Sequence, residues 1–315
     1  MEQPSSQKNQ STAVLLIGYK RIGFIENRLN ELSKNSYIPI IASIDGSDEA
    51  TEKLVTKSIN EFVVRHPKMD IKFKIRQENL GLARHITLAI SEVLDEYDQV
   101  IVVEDDIVLS QTFVNNMLKG FQLMKSNEEI GVVGGFSFFA DNYFNLKRGK
   151  WRTSRYFPAW GWGIGRKHWS GYELVIPSDY LAILNQSQTW QSLSKYRKLM
   201  WTYRFKKVAT DTPFTWDYQM QYMLFRQNLV TLLPTCRISD NEGFGSAASS
   251  NTKDERPRWM REERVFSGIL QAKISKFSKV YEIVDAFTIA GDKRAAEIFV
   301  RFRKVFSTNM LERSR

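Results

Sequence analysis

The chain has 315 residues, 43% of them hydrophobic, with a net charge of +10 and a single cysteine, Cys236. That is enough apolar material for a large core, yet no apolar stretch approaches the roughly 20 residues needed to span a bilayer. One cysteine excludes an intramolecular disulfide framework and fits a reducing compartment, so the expectation is a cytoplasmic protein with a polar, structureless leader over 1–11. The positive charge is uneven. Residues 147–168 interleave Lys147, Arg148, Lys150, Arg152, Arg155, Arg166 and Lys167 with Trp151, Tyr156, Trp160 and Trp162, and a second basic stretch runs from Lys293 to Arg315. Such stretches point to nucleic acid, phosphorylated small molecules or an anionic membrane surface, or else are solvated faces.

Periodicity then orders the chain. A strand is expected over 13–19, a helix over 21–32, a strand over 39–45 and a helix over 49–66 with Leu54, Val55, Ile59, Phe62 and Val63 at helical spacing. Residues 71–76 alternate like a strand, and 81–94 place Leu82, Ile86, Ala89, Ile90, Val93 and Leu94 on one helix face. A β-branched run, 100–103, reads as a strand buried on both faces, with a helix beginning near Ser110. Four strand–helix alternations within about 100 residues mean βαβ crossovers and a mostly parallel sheet. Ligands of such a sheet bind beyond the carboxyl ends of its strands, where Asp45, Arg76 and the acids Glu104, Asp105 and Asp106 are expected to converge. Neither a Gly-x-Gly-x-x-Gly turn nor a Gly-Lys-Ser/Thr loop follows the first strand, which demotes dinucleotide and P-loop enzymes. Further on, 130–170 are rich in Gly and aromatics, 178–228 look helical, 229–233 read as a strand and 240–258 as a polar loop. A helical, basic tail is expected from about 262.

Three carboxylates closing a buried strand repel one another and resist burial, so a cation is expected among them; a hard divalent metal suits oxygen ligands. A solvated turn with Asp106 as a helix cap is the other reading. Asp217, in Thr215-Trp216-Asp217, suits either a general base or a helix N-cap. Trp160, Gly161 and Trp162 read as a sugar-stacking wall or as a core hinge. Arg76 and Arg84 are candidates for a diphosphate or a base, or solvated charges, and His168 is a weak metal candidate.

Taken in order, the strand-end Asp45, the Asn79-Leu80-Gly81 helix entry, Glu104-Asp105-Asp106, the Trp-Gly-Trp-Gly segment and Trp216-Asp217 resemble nucleotide-sugar glycosyltransferases of the GT-A fold. The resemblance covers roughly 12–250 and is nearest to bacterial family-2-like transferases and to N-acetylglucosaminyltransferase I. It implies an α/β, Rossmann-like fold, a mostly parallel sheet flanked by helices, with a helical basic C-terminal extension. It implies Mn2+ or Mg2+ on Asp106, ribose or a metal-bound water on Asp105, donor contacts from Glu104, base or ribose on Asp45, and Asp217 as catalytic base. The Glu-Asp-Asp spelling departs from the commoner Asp-x-Asp. The chain also lacks the His that relatives place soon after Gly243-Phe244-Gly245, in a segment read as a mobile flap over the nucleotide.

The expected division is a leader over 1–11, a catalytic domain over 12–258 (nucleotide half 12–110, acceptor half 111–258) and an extension over 259–315. The expected function is metal-dependent, inverting transfer from a UDP-sugar to a glycan or lipid-linked acceptor in bacterial surface glycan synthesis. No nucleic acid is expected, and the tail is a candidate for peripheral attachment to an anionic membrane. A sugar-nucleotide nucleotidyltransferase and a nucleic-acid-binding protein using 147–168 as a stacking groove are the alternatives.

Overall fold

A computed structural model describes residues 11–35, 37–137, 149–245, 265–275, 279–289 and 291. In chain order the elements begin β1 (Thr12–Gly18), α1 (Ile22–Leu32), β2 (Ile40–Ile44), α2 (Glu49–Arg65), β3 (Ile71–Ile75), α3 (Leu82–Glu96), β4 (Gln99–Glu104), β5 (Ile107–Leu109) and α4 (Phe113–Lys125). They continue β6 (Ile130–Gly134), β7 (Trp151–Ser154), β8 (Trp162–Gly165), α5 (Arg166–Trp169), α6 (Tyr180–Leu184), α7 (Gln188–Gln191), α8 (Lys195–Val208), α9 (Asp217–Arg226), β9 (Val230–Pro234), β10 (Ser239–Asn241) and α10 (Lys279–Thr288).

Eight strands form one sheet in the order β3-β2-β1-β4-β8-β6-β9-β7. β3, β2, β1 and β4 pair in parallel, β8 runs antiparallel to both β4 and β6, and β7 is antiparallel to β9. The mostly parallel α/β sheet expected from the alternation is present. Side chains alternate across β1, so Val14 and Leu16 enter one core and Ala13, Leu15 and Ile17 the other. The first core lies with α1, α2 and α4, and the second with α3, α5 and α9. A third, aromatic cluster joins α6, α7, α8, α9 and α10.

Register fixes where the strands end. Ile17 pairs with Glu104, and Gly18 with Ile44, so residues following β1, β2 and β4 emerge at one edge. The Asp45 amide donates to the Gly18 carbonyl at 3.0 Å and the Asp105 amide to that of Ile17 at 2.9 Å. α2 begins on a side-chain cap, with Asp48 accepting from the Thr51 amide at 2.9 Å.

Several expectations are corrected here. Leu54 is 56% exposed; only Val55, Ile59 and Phe62 of its group are fully buried, because Leu54 lies outside their arc. The strand β5 intervenes before the helix expected near Ser110, and it pairs with β10, so 239–241 are strand rather than loop. Of the segment 147–168, the described part, 149–168, is no surface groove. Trp151, Tyr156 and Trp162 are fully buried, and Arg152 is 1% exposed in a two-pronged ion pair with Asp285 of α10 (2.5 and 2.7 Å). A stacking platform for nucleic acid needs exposed rings, so that alternative loses its surface.

The described parts of the expected extension pack on this body. Leu270 is fully buried, its amide donates to the Asn116 side chain at 2.8 Å, and Ile274 bridges Trp151. The leader up to 10, most of the flap (246–258) and the tail from 292, with Ala296, Phe299, Phe302 and Phe306, lie outside the described residues.

Candidate active site

A cavity of about 580 Å³ opens at the strand-end edge. Its walls are Gly18 to Arg21 after β1, Asp45 after β2, Asn79, Gly81, Leu82 and His85 at the start of α3, and Glu104, Asp105 and Asp106 after β4. Ala159 and Trp160, Thr215 to Asp217, and Asn241 complete the lining. Residues from 17 to 241 in the chain meet there because the parallel strands end together.

The acids are partly neutralised from within. Arg21 reaches both Asp105 oxygens, its Nε at 3.2 Å from Oδ2 and its Nη2 on Oδ1, and places Nη1 3.1 Å from Asp106 Oδ2. One guanidinium against three carboxylates leaves the cluster short of positive charge. Burial, and then the neighbouring Asp106 and Asp105, push the Glu104 carboxyl well above the usual range, with Asp217 adding to the effect. Burial also pushes Asp105 up to about 6 despite Arg21. Gly243 keeps the approach to Asp106 open: a Cβ there would stand 2.5 Å from Asp106 Oδ2. Among the described residues no three His, Cys, Asp or Glu side chains form a protein-only metal cage, so an ion on Asp106 would need oxygens from a ligand.

Asp45 is 5% exposed and accepts from the amides of Gly46, Leu80 and Gly81 at 2.9–3.0 Å. It therefore clamps the Asn79-Leu80-Gly81 turn, where Gly81 holds φ +74°, and also lines the cavity. Beside it, His85 is 2% exposed with Nε2 2.9 Å from Ser43 Oγ, and burial pushes its pKa down to about 4, keeping the ring neutral.

Asp217 stands at the first turn of α9. Its Oδ1 accepts from the Thr215 hydroxyl and from the Tyr218 amide at 3.0 Å. Burial raises its pKa, opposed chiefly by the Thr215 hydroxyl. The loop is held from below: Gln219 Nε2 donates to the Thr215 carbonyl at 2.7 Å, and Trp216 stacks on Trp162 at 5.2 Å.

Five expected candidates do not reach the cavity lining. Arg76 is 6% exposed and spent on Glu92 (2.7 and 2.8 Å) and Ser43, beneath His85. Arg84 is exposed on α3, facing away from the inward side that carries His85. Trp162 belongs to β8 and to the core. Gly161 serves the backbone: with φ +69°, it accepts from the Gly135 amide at 2.7 Å and turns the chain so that Trp160 faces the site while Trp162 faces inward. His168 sits on α5, outside the lining. The expected flap is anchored at its start, since Glu242 meets Arg28 at 2.8 Å and Phe244 packs edge-on against Trp160.

Arg21, His85 and Thr215 were missed by sequence reasoning, while Asn241, at the start of the expected flap, does line the cavity. The signal for Arg21 was its place just past β1, an edge that the parallel-sheet rule already marks for ligands. For His85 it was a lone imidazole on an apolar helix face.

No curated protein matches the chain. Among solved structures, a mannosyltransferase from Pyrobaculum calidifontis, in complex with GDP-Man and Mn2+, is similar at 12% identity and a TM-score of 0.43, over 70% of each chain. The glycosyltransferase GlyE of Streptococcus pneumoniae is similar at 17% identity and a TM-score of 0.31, over 64% of this chain and 44% of its own. Likenesses this slight decide nothing. The family model for GNT-I matches residues 1–191, well over half of the sequence. That span contains β1 to β8, the Asp45 clamp and the acidic edge, and the chain belongs to the GNT-I family of GT-A glycosyltransferases.

Proposed function

We propose that the protein transfers a sugar, with inversion, from a UDP-sugar to an acceptor hydroxyl during assembly of a bacterial surface glycan on a lipid-linked acceptor. The observation that carries this reading is one cavity bounded by an acid cluster short of positive charge and by a carboxylate whose proton affinity is raised. In this reading 12–110 bind the nucleotide, 111–258 the acceptor, and 259–315 form the extension. The nucleoside lies against Asp45 and His85, and the diphosphate against Arg21 and the acids. Trp160 offers a ring face to a sugar.

The donor set fits a hard divalent ion, since Asp106 is a carboxylate with an approach that Gly243 leaves clear. Bound there, Mn2+ or Mg2+ would neutralise charge developing on the departing diphosphate. The remaining work belongs to the chain. Arg21 is free to turn from the aspartates to phosphate, which a guanidinium binds equally well. Asp217 takes the proton of the attacking hydroxyl, and burial has already raised its basicity for that task.

Thermal shifts with a panel of nucleotide diphosphates, each with and without Mn2+, test the reading. The expected result is a rise with UDP that needs the metal; a shift with GDP instead would reassign the base, and no shift with any nucleotide would overturn the proposal. An α-linked product from an α-linked donor would overturn inversion.

A further inference from the structure

The helix α8 carries six basic residues and no acid among its fourteen. Its inner side is ordinary core, with Trp201, Phe205 and Val208 buried in the aromatic cluster. Two of the basic groups are committed: Arg197 pairs with Glu282 at 3.0 Å, and Arg204 lies over Trp201 and Tyr218 at 4.7 and 5.6 Å. The outer ridge is different. Leu199 and Tyr203, one helical turn apart, are 69% and 61% exposed, and Phe214 beyond the helix is 59% exposed. Lys195, Lys206 and Lys207 flank them in solvent, with Lys207 Nζ 4.5 Å from the Tyr203 ring centre. Among the described residues none of these lysines meets a carboxylate.

We infer that this ridge docks the enzyme on an anionic lipid bilayer. An aliphatic and an aromatic side chain, Leu199 and Tyr203, standing clear of the surface gain by entering the headgroup region, while lysines on long stems reach back to lipid phosphates. Positive charge along α8, with no acid on the helix itself, is complementary to an anionic leaflet. A nucleic acid would use the lysines but has no need of Leu199, and a solvated face has no need of either apolar group. Two placements support the same side of the molecule. The loop after α8 runs to the cavity wall, with Phe214 edge-on against Tyr218, next to the candidate base Asp217. The chain also leaves α10 beside α8, where a Cβ on Gly291 would stand 3.1 Å from Arg204 Nη2. Docking here does not depend on the sugar-transfer reading.

Flotation of the full chain with phosphatidylcholine vesicles, with and without phosphatidylglycerol, is the test. The expected result is flotation only with the anionic vesicles, weakened by salt. Leu199→Ser with Tyr203→Ser, and separately Lys206→Glu with Lys207→Glu, should each lower the bound fraction about tenfold. Both pairs are exposed, so melting midpoint and nucleotide shift should stay at parental values. Failure of the full chain to float at low salt overturns the inference, as does unchanged flotation of either variant. Flotation lost on truncation after Gly291 but kept by the α8 variants would assign binding to the tail and also overturn it. A chain that floats as expected but shows no nucleotide shift keeps this inference and sinks the proposed function alone.

Discussion

At the scale of single residues, the site divides into side chains that touch the cavity and side chains that hold them. With Asp217 as the proposed base, Asp217→Asn keeps shape but loses the basic oxygen, so turnover should fall by roughly 10²–10⁴ with donor affinity unchanged in calorimetry. Thr215 acts through Asp217. Its hydroxyl stabilises the charged carboxylate, so Thr215→Val should raise the carboxyl pKa further. A base must be deprotonated to work, so with burial raising the Asp217 pKa the acid limb of kcat/KM should lie above the ordinary Asp value of about 3.9. In Thr215→Val that limb should move to still higher pH, with the plateau at alkaline pH largely restored. A merely structural role would lower the plateau and leave the limb where it was. Gly243→Ala places a methyl 2.5 Å from Asp106 Oδ2. Calorimetry should show weaker Mn2+-dependent nucleotide binding in that variant, with a lower melting midpoint from the clash, and unchanged affinity would remove Asp106 from the proposed metal site.

At the scale of elements, α10 is tied to the sheet by charge as well as by packing. Arg152 and Asp285 are 1% and 2% exposed, and the guanidinium also lies 4.9 Å from the Tyr281 ring centre. Removing Asp285 takes two charge-assisted hydrogen bonds from a buried guanidinium. Asp285→Ala should therefore cost about 3–5 kcal/mol in denaturant unfolding, whereas truncation after Gly291 leaves the pair intact. If Asp285→Ala unfolds at the parental midpoint, α10 is not part of the folded body. The strand elements were legible because buried β-branched runs and amphipathic helices are local patterns. The Trp-Gly-Trp-Gly segment was not. Its second half opens β8 (Trp162–Gly165), inserted antiparallel between β4 and β6, and no local pattern announces a strand whose Gly163 admits Phe121 against the sheet.

For the whole molecule, the site exists only because strand ends meet. No single segment supplies more than part of the cavity, so ligand binding should be coupled to global stability. A nucleotide diphosphate with metal at about 100 times its Kd should raise the unfolding free energy by about 2.7 kcal/mol. Chelation by EDTA should return the midpoint to that of the free protein; a midpoint that keeps its shift in EDTA would mean the nucleotide binds without metal. Among the described residues no helix is long and apolar enough to cross a membrane.

The alternation of strand and helix, the parallel sheet and the convergence of Asp45 with the acids at one edge follow from the sequence by itself. Each rests on spacing within a segment and on the rule that a parallel sheet binds ligands beyond its carboxyl ends. Tertiary structure alone decided how charge is balanced and which aromatics face the site. Arg21 meets Asp105 across 84 positions of sequence, and Arg152 meets Asp285 across 133. Arg76, expected at the ligand, is spent on Glu92, and Trp160 and Trp162, two residues apart, divide between cavity and core. A side chain's partner depends on what the fold brings within a few ångströms of it, and for a guanidinium or an indole that neighbour is set by chain crossings that local spacing does not encode.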